Sequence, residues 1–380
     1  MSAAVPRIAI IGGGLSGLTL ARVLHLHGLD AVVYEREGSP AVRPQGGPLD
    51  LHYGSGLYAM HEAGLDEQIR AIARRHDFAM RLLDHTGALL LDEHIVDEDG
   101  EVVDPEVDRG DLRRVLLDSL PGGTVVWGSE FQAASPLPGG GYRLHFRDGA
   151  TASCDLLVGA DGARSRVRPL LTDARPEYTG VSFVEIAIPD IDRARPCLSR
   201  VVGPGDYWVL GVDQALVAPR NGDGWVRISL VLRAPETWIE TCGIPFDRPA
   251  AARAALVSLF AGWQAHTADL ILACGESVTP RRIMMLPVGL TWRGAPDVTL
   301  IGDAAHLMSP FAGAGANVAV QDAAELALAL ACNRSDLAAA LREYEPAMFE
   351  RSAAAARESA ENLETCISPT GARDLLALLQ

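Results

Sequence analysis

Two kinds of hydrophobic pattern run along the chain, and they predict two architectures. Residues 8–11 (IAII) form a short unbroken apolar run, the mark of a strand buried on both faces. It passes into Gly12-x-Gly14-x-x-Gly17, then an apolar-periodic stretch to about Gly28 that predicts a helix. A second β-rich run, Ala31–Tyr34, follows and ends on Glu35. The strand-then-glycine pattern recurs at 156–158, breaking at Gly159 and Asp161-Gly162. It recurs again from Val298, breaking at Gly302-Asp303. After that come a loop with Gly313 and Gly315 and an alanine-rich helix over about 316–332. Residues 108–117 read as a further helix with Arg109 and Arg113 one turn apart.

Between these segments the period changes. Residues 182–189 alternate at period two over part of their length. Residues 207–212, 215–218 and 226–233 are further strand candidates, with turn residues between them, clearest at 221–224. They predict an antiparallel sheet to which about 76–96 adds, covered by a helix at roughly 250–262. Residues 336–363, rich in Ala, Glu and Arg, predict one long helix, in which Pro346 either starts a second segment or makes a kink. Residues 370–380 predict a short terminal helix. The expected organisation is an α/β chain. A discontinuous Rossmann-like lobe takes 1–75, 97–177 and 281–335; a sheet lobe takes 76–96 and 178–280; a C-terminal bridging helix takes 336–380.

The first of these patterns carries chemistry. Strand, glycine turn, helix, strand and acid together make a dinucleotide site. Gly12 permits the turn, Gly14 lets phosphate approach the backbone, and Gly17 lets helix and strand lie close. The helix N-terminus offers free N–H groups to an anion. Glu35, 18 residues past Gly17, is placed for a ribose diol. The fingerprint alone does not separate NAD from FAD. Taken singly, the later segments have plain readings too: a surface arginine pair, an Asp-Gly turn, and Asp303 as a helix cap.

Bulk properties narrow the field. A net charge of −16 argues against nucleic-acid or anionic-membrane partners. No apolar run is long enough to span a bilayer, and the N-terminal apolar run is used in the first strand rather than as a signal peptide. Six dispersed cysteines without a CxxC pair suit a reducing cytoplasm, not a disulfide framework or a zinc site. No metal site is expected, and the assembly expected is a monomer or weak homodimer.

The joint order GxGxxG, RxxL at 109–112, Asp161-Gly162 with Arg and Ser after it, and Gly302-Asp303-Ala-Ala-His306 before Pro310 and GxGxN resembles the group A flavin-dependent monooxygenases, relatives of para-hydroxybenzoate hydroxylase. Residues 46–56 (GGPLDLHYGSG), 303–308 (DAAHLM), 310–313 (PFAG) and the final helix with Tyr344-Glu345 and Met348-Phe349 are similar to the tetracycline-destroying subgroup. The resemblance implies FAD, with its adenosine end at Gly12, Gly14, Leu15, Ser16, Gly17, Glu35 and Arg36. Arg109 and Asp161-Gly162 would lie beside it. Asp303 would meet the ribityl or pyrophosphate region, Gly313, Gly315 and Asn317 would pass beneath the isoalloxazine, and Gly302 and Pro310 would also bind the cofactor. Arg43 and Asp50 match positions that contact nicotinamide cofactor and flavin respectively. On a rough alignment the substrate wall departs from the subgroup near Glu185, Asp206 and Arg227, and Ala314 and Ser309 stand where the family often has Gln and Pro.

The implied reaction uses NADPH or NADH and O2 to hydroxylate an aromatic or polycyclic, polyketide- or tetracycline-like small molecule through a flavin C4a-hydroperoxide. The cofactor does the chemistry, so no protein catalytic residue is expected, and His306 reads as a buried, hydrogen-bonded histidine. The alternatives are a same-fold oxidase, dehydrogenase or cyclase without oxygen transfer, and a binding protein that sequesters an apolar antibiotic. Hydride taken from substrate without NADPH would mark an oxidase or dehydrogenase; a colourless protein that still binds ligand would mark the binding protein.

Overall fold

The computed structural model describes residues 6–40, 47–73, 78–95, 105–221 and 224–379. The chain divides into two compact units: 1–74, 103–177 and 285–360 form the first, and 75–102, 178–284 and 361–380 the second.

In the first unit the four-residue apolar runs become strands that are buried throughout, as Ile8–Ile11 and Leu156–Gly159 are. They belong to a five-stranded sheet in the order Val298–Leu300, Leu156–Gly159, Ile8–Ile11, Ala31–Tyr34, Val125–Val126, with every neighbouring pair parallel. Continuous apolar sequence is what a parallel sheet covered on both faces requires. The helices Leu15–Leu26 and Gly315–Cys332 share its core through Leu18, Leu20, Leu24, Val320, Ala323, Ala327 and Leu330. A three-stranded antiparallel sheet (Phe131–Pro136, Tyr142–Phe146, Thr151–Cys154), absent from the sequence reading, lies on the chain between helix Arg109–Asp118 and strand Leu156–Gly159.

The second unit is built on a seven-stranded sheet in the order Thr279–Met285, Glu177–Ile188, Val226–Arg233, Gln214–Ala218, Asp206–Gly211, Phe78–Asp84, Leu89–Ile95. The antiparallel expectation is modified where Asp206–Gly211 runs parallel to Phe78–Asp84. Period-two alternation splits the sheet into two faces. Val184, Ile186, Ile188, Tyr207, Val209, Leu216, Ile228 and Leu230 bury one face under the helices Pro196–Val202, Pro249–Leu259 and Ala265–Ala273. The other face carries Glu185, Ala187, Trp208, Val217, Arg227 and Ser229, all half-buried. Register places Trp208, Val217, Ser229 and Glu185 in one cross-strand row.

Helix Leu337–Cys366 runs through Pro346 without a second start. Its residues to Ala360 belong to the first unit and the remainder to the second. Residues 222–223 of the expected 221–224 turn lie outside the described residues.

Candidate cofactor-binding site

Because the five strands are parallel, their carboxyl ends share one edge of the sheet, and the glycine and aspartate loops all leave from that edge. The chain crosses from Ile8–Ile11 to Ala31–Tyr34 on one side and later occupies the other side with Leu156–Gly159, so the edge contains a topological switch point. The loops are tied together. Gly12 N–H donates to the Tyr34 carbonyl (2.9 Å), Ala160 N–H to Ile11 (2.8 Å) and Ile301 N–H to Gly159 (2.9 Å).

The three fingerprint glycines are required for different reasons. Gly12 has φ +112°, and a Cβ there would sit 2.2 Å from the Ala160 carbonyl oxygen. At Gly17 a Cβ would meet the Gly12 carbonyl oxygen at 2.1 Å. Gly14 is extended (φ −79°, ψ −177°), and among the described residues nothing lies within 4 Å of a Cβ there. Leu15 and Ser16 open the helix, whose first turn contains no acidic residue and whose N-terminus has no side-chain cap. Its first N–H groups therefore face outward for an anion. Glu35 is 7% exposed and oriented by two backbone donors, Gly13 N–H at 2.6 Å and Glu37 N–H at 2.9 Å. Arg36 is exposed, and Arg43 lies outside the described residues.

Arg113, the partner of Arg109 in sequence, has a different task. It is buried, donates to the Gly13 carbonyl (3.0 Å) and the Pro40 carbonyl (3.3 Å), pairs with Glu37 and stacks over Trp127. Arg168 does the same for the other two loops: Nε donates to Ala304 O (2.7 Å) and Nη2 to Ala163 O (3.0 Å) and Asp303 O (3.2 Å). Arg113 is named in the sequence only as the helix neighbour of Arg109, and neither arginine is among the residues expected to bind the cofactor. The dense arginines of 164–168 were the available signal, but not which of them turns inward.

Asp161 caps its own loop, accepting Arg166 N–H at 2.7 Å, and Gly162 takes φ +76°. Burial pushes the Asp161 carboxyl up, against its bonds to Ser165 and the Arg166 and Val167 N–H groups. Gly302, at φ +59°, is the residue that caps the turn Asp303–His306, so Asp303 is not the cap. The Asp303 side chain is exposed at the surface of this edge. Burial raises its carboxyl, while His306, Arg109 and Arg168 oppose the rise. Desolvation in turn depresses half-buried Arg109, against the attraction of Asp303. Among the described residues no hydrogen bond ends on the Asp303 carboxylate or starts from the Arg109 guanidinium.

Pro310 opens a tight turn ending in Gly313 (φ +64°), and Gly315 begins the long helix. A Cβ at Gly313 would meet nothing within 4 Å, and one at Gly315 only Met308 at 3.6 Å. Asn317, expected beneath the cofactor ring, lies in the first turn of that helix. Its side chain is 1% exposed and wholly used inside the protein, donating to the Asp50 carbonyl (2.8 Å) and accepting His52 N–H (3.0 Å). It thus pins the segment that presents Asp50. Gly56 must be glycine to admit it, since a Cβ would lie 2.1 Å from Asn317 Oδ1. His306 is buried and paired to Asp322 at 2.5 Å.

The three residues picked for the substrate lie in the second unit. Glu185 is paired to Arg281 (2.7 Å), Asp206 begins its strand, and Arg227 sits over the Trp225 ring at 5.7 Å. On the same face, among the described residues, the buried Nε1 of Trp208 and Nε of Arg227 have no hydrogen-bond partner. Among the described residues, no helix is long and apolar enough to cross a membrane, and no His, Cys, Asp and Glu cluster could hold a metal ion.

Residues 6–193 and 291–359 match the model of the FAD binding domain family. The chain is 34% identical to the 3-amino-4-hydroxybenzoate 2-monooxygenase PtmB3 of Streptomyces platensis over 98% of this chain and 91% of that one. In fold it is similar to Klebsiella pneumoniae HpxO, solved with FAD and uric acid (TM-score 0.78, 24% identity, 98% of this chain and 91% of that one). It is similar also to the tetracycline destructase Tet(55) (TM-score 0.74, 19% identity, 100% and 96%). With a family model covering both halves of the glycine-loop edge and a relative matched end to end, the chain belongs to the FAD-dependent monooxygenases of the para-hydroxybenzoate hydroxylase-like group.

Proposed function

We propose that the protein is an NADPH- or NADH-dependent hydroxylase that places one oxygen atom of O2 on an aromatic or polycyclic small molecule. In this reading the first unit holds FAD and the second holds substrate. The observation that carries it is the shared edge of the parallel sheet, from which the motif loops leave and where, among the described residues, a Cβ at Gly14 would meet only open space. That space fits a pyrophosphate, because the helix beginning at Leu15 presents unpaired N–H groups to it.

FAD, when bound, supplies the redox chemistry, taking hydride from reduced nicotinamide and activating O2. The residues supply position and charge. Gly12, Gly14, Leu15, Ser16 and Gly17 hold the pyrophosphate. Glu35, aimed by Gly13 and Glu37, keeps a second lone pair on each oxygen for ribose hydroxyls. Arg36 flanks it at the surface. Asp161 and Gly162 shape the neighbouring loop, and Gly302, Asp303 and Arg109 contact the middle of the cofactor. Pro310, Gly313 and Gly315 bring backbone close to the ring, with Asp50 held across from them by Asn317. The Gly315–Cys332 helix has no acidic residue in its first turn, so its N-terminus stabilises negative charge on a reduced ring.

For the substrate, the half-buried sheet face supports a planar molecule bearing hydrogen-bond acceptors. Trp208 and Arg227 each keep a buried donor there without a partner, and buried donors are costly unless a ligand accepts from them. The relatives' names point the same way, since aminohydroxybenzoate and uric acid are small, oxygen-bearing rings. Tetracyclines satisfy the same description at larger size.

The test is anaerobic reduction of the purified yellow protein by NADPH, with a panel of hydroxybenzoates, purines and tetracyclines, followed by ¹⁸O2. Faster bleaching with one substrate class and one ¹⁸O in its product are expected. A flavin that NADPH cannot reduce under any condition, but that a substrate reduces directly, would replace this reading with an oxidase.

A further inference from the structure

The turn Asp303–His306 is four residues long, and a helix of one turn cannot hold itself. It is held from outside, at both ends, by one carboxylate. Asp322, fully buried on the Gly315–Cys332 helix, accepts Gly302 N–H at 3.1 Å and His306 Nε2–H at 2.5 Å on the same oxygen, Oδ2. Its other oxygen accepts Arg351 Nη2 at 2.9 Å, and Arg351 Nη1 reaches Glu325 at 2.8 Å. The front of the turn is fixed in direction as well. Gly302 is left-handed, and a Cβ there would meet Ala319 at 3.0 Å and Ser16 Oγ at 3.2 Å.

Charge counting defines the state of the cluster. Two carboxylates, Asp322 and Glu325, face one guanidinium, so the group is neutral only if His306 is an imidazolium. Asp303 on the same turn adds a negative charge, which the Arg109 and Arg168 guanidinium groups offset. The remaining groups against His306 change little. Arg168 keeps its charge while bonded to the carbonyls of Ala163, Asp303 and Ala304, Leu286, Pro287, Leu290 and Ser352 line a small cavity with His306, and among the described residues the buried Nδ1 of His306 has no hydrogen-bond partner. Burial alone disfavours the imidazolium; the pairing with Asp322 and the nearby Asp303 outweigh it, holding His306 above its ordinary value. Burial likewise raises Asp322, and His306 and Arg351 bring it below the usual carboxylate range.

We propose that Asp322, clamped between the His306 imidazolium and Arg351, is a positioning residue for FAD: it fixes both ends of the Asp303–His306 turn and thereby aims the Asp303 carboxylate. This rests on the assignment of Asp303 to FAD made above. The clamp is complete while His306 is charged and slackens as pH rises through its raised pKa, so FAD affinity should fall on the alkaline side.

The experiment measures FAD Kd by flavin fluorescence quenching on deflavinated full-length protein from pH 6 to 9, with far-UV circular dichroism to verify folding. Asp322→Asn should raise Kd about tenfold or more, the scale of one lost charge-assisted bond. His306→Gln keeps an N–H donor for Asp322 but not the charge. It should give a Kd independent of pH and close to the wild-type alkaline value, and it serves if Asp322→Asn does not fold. A Kd within twofold of wild type in folded Asp322→Asn, or a wild-type pH slope in His306→Gln, would overturn the clamp. Asp303→Asn separates the two ideas. If it leaves Kd unchanged, the assignment of Asp303 fails and takes the proposal with it; if it raises Kd while Asp322→Asn does not, the clamp alone fails.

Discussion

Gly14 and Gly17 look equivalent in sequence but should respond to substitution in opposite ways. At Gly17 a methyl group would lie 2.1 Å from the Gly12 carbonyl oxygen and 3.3 Å from Ile10, so Gly17→Ala must move backbone and should destabilise the apo-protein by about 1–3 kcal/mol. At Gly14 the backbone is already extended and a Cβ meets nothing. Replacing it with Ala restricts the unfolded chain, worth about 0.4–1 kcal/mol in favour of folding. Alanine is a poorer N-cap than glycine, which returns roughly 0.5–1 kcal/mol. The two nearly cancel, so Gly14→Ala should leave apo stability within about 0.6 kcal/mol of wild type. FAD binding should separate from stability. Gly14→Val places two further methyl groups in the proposed pyrophosphate space, and a loss of at least about 100-fold in affinity, or ~2.7 kcal/mol, is expected. Urea denaturation of apo-protein and fluorescence titration of FAD measure the two quantities independently. A Gly14→Val protein purified with a full complement of yellow FAD would show that the open side of Gly14 is not where the cofactor lies.

Other substitutions test other parts of the site. Arg168→Met removes two short bonds from a charged donor to loop carbonyls and should destabilise by about 2–4 kcal/mol in thermal or urea unfolding; an unchanged midpoint would mean the loops do not need their clamp. Glu345 accepts from Trp292 Nε1 (3.0 Å) and Thr299 Oγ1 (2.9 Å), and burial nevertheless raises its carboxyl. A raised folded pKa means the native state binds the proton more readily than the unfolded chain, so this group makes stability fall as pH rises from the ordinary carboxylate range to the folded value. Glu345→Gln should remove that slope and raise the melting temperature at pH 7.5; a lower one would mean the charged form is preferred. Trp208→Phe removes a buried unpaired N–H and should leave folding intact while raising KM about fivefold, with kcat little changed. Equal loss in both constants would refute a binding role.

Much of this could be read from the chain because local sequence and local geometry coincide there. The strand runs at 8–11, 31–34 and 298–300, the turn at Gly12, the helix from Gly315 and the strand Val226–Arg233 each depend on neighbours within a few residues. The residues that join loops were not legible. Arg113 meets a carbonyl 100 residues away, Arg168 one 136 away, and Asn317 one 267 away. A buried arginine and a surface arginine look alike until the fold brings a carbonyl to one of them. Asp322 shows the same limit: in sequence it is an acid in an alanine-rich helix, and only packing brings His306, Arg351 and the Gly302 N–H to it. The parallel neighbour Asp206–Gly211 was missed for a related reason, since alternation reports which face is buried and says nothing of strand direction.

The charge of the protein sets a final test. A chain of net charge −16 must admit an anionic dinucleotide, and under the reading above a second one arrives as NADPH. The site answers this at short range only. Both helices that open on it lack acids in their first turns, and Arg113 and Arg168 spend their hydrogen bonds on backbone carbonyls behind the loops. At 0.01 M salt the screening length is about 30 Å, and the whole negative chain repels the approaching nucleotide; at 0.15 M it is about 8 Å, and only the groups lining the cleft remain felt. The second-order rate of flavin reduction by NADPH should therefore rise with salt across that range in stopped-flow measurements. A rate that falls instead would mean that a positive funnel dominates the approach. The arginines would then have to face the incoming nucleotide rather than the loops they are bonded to here.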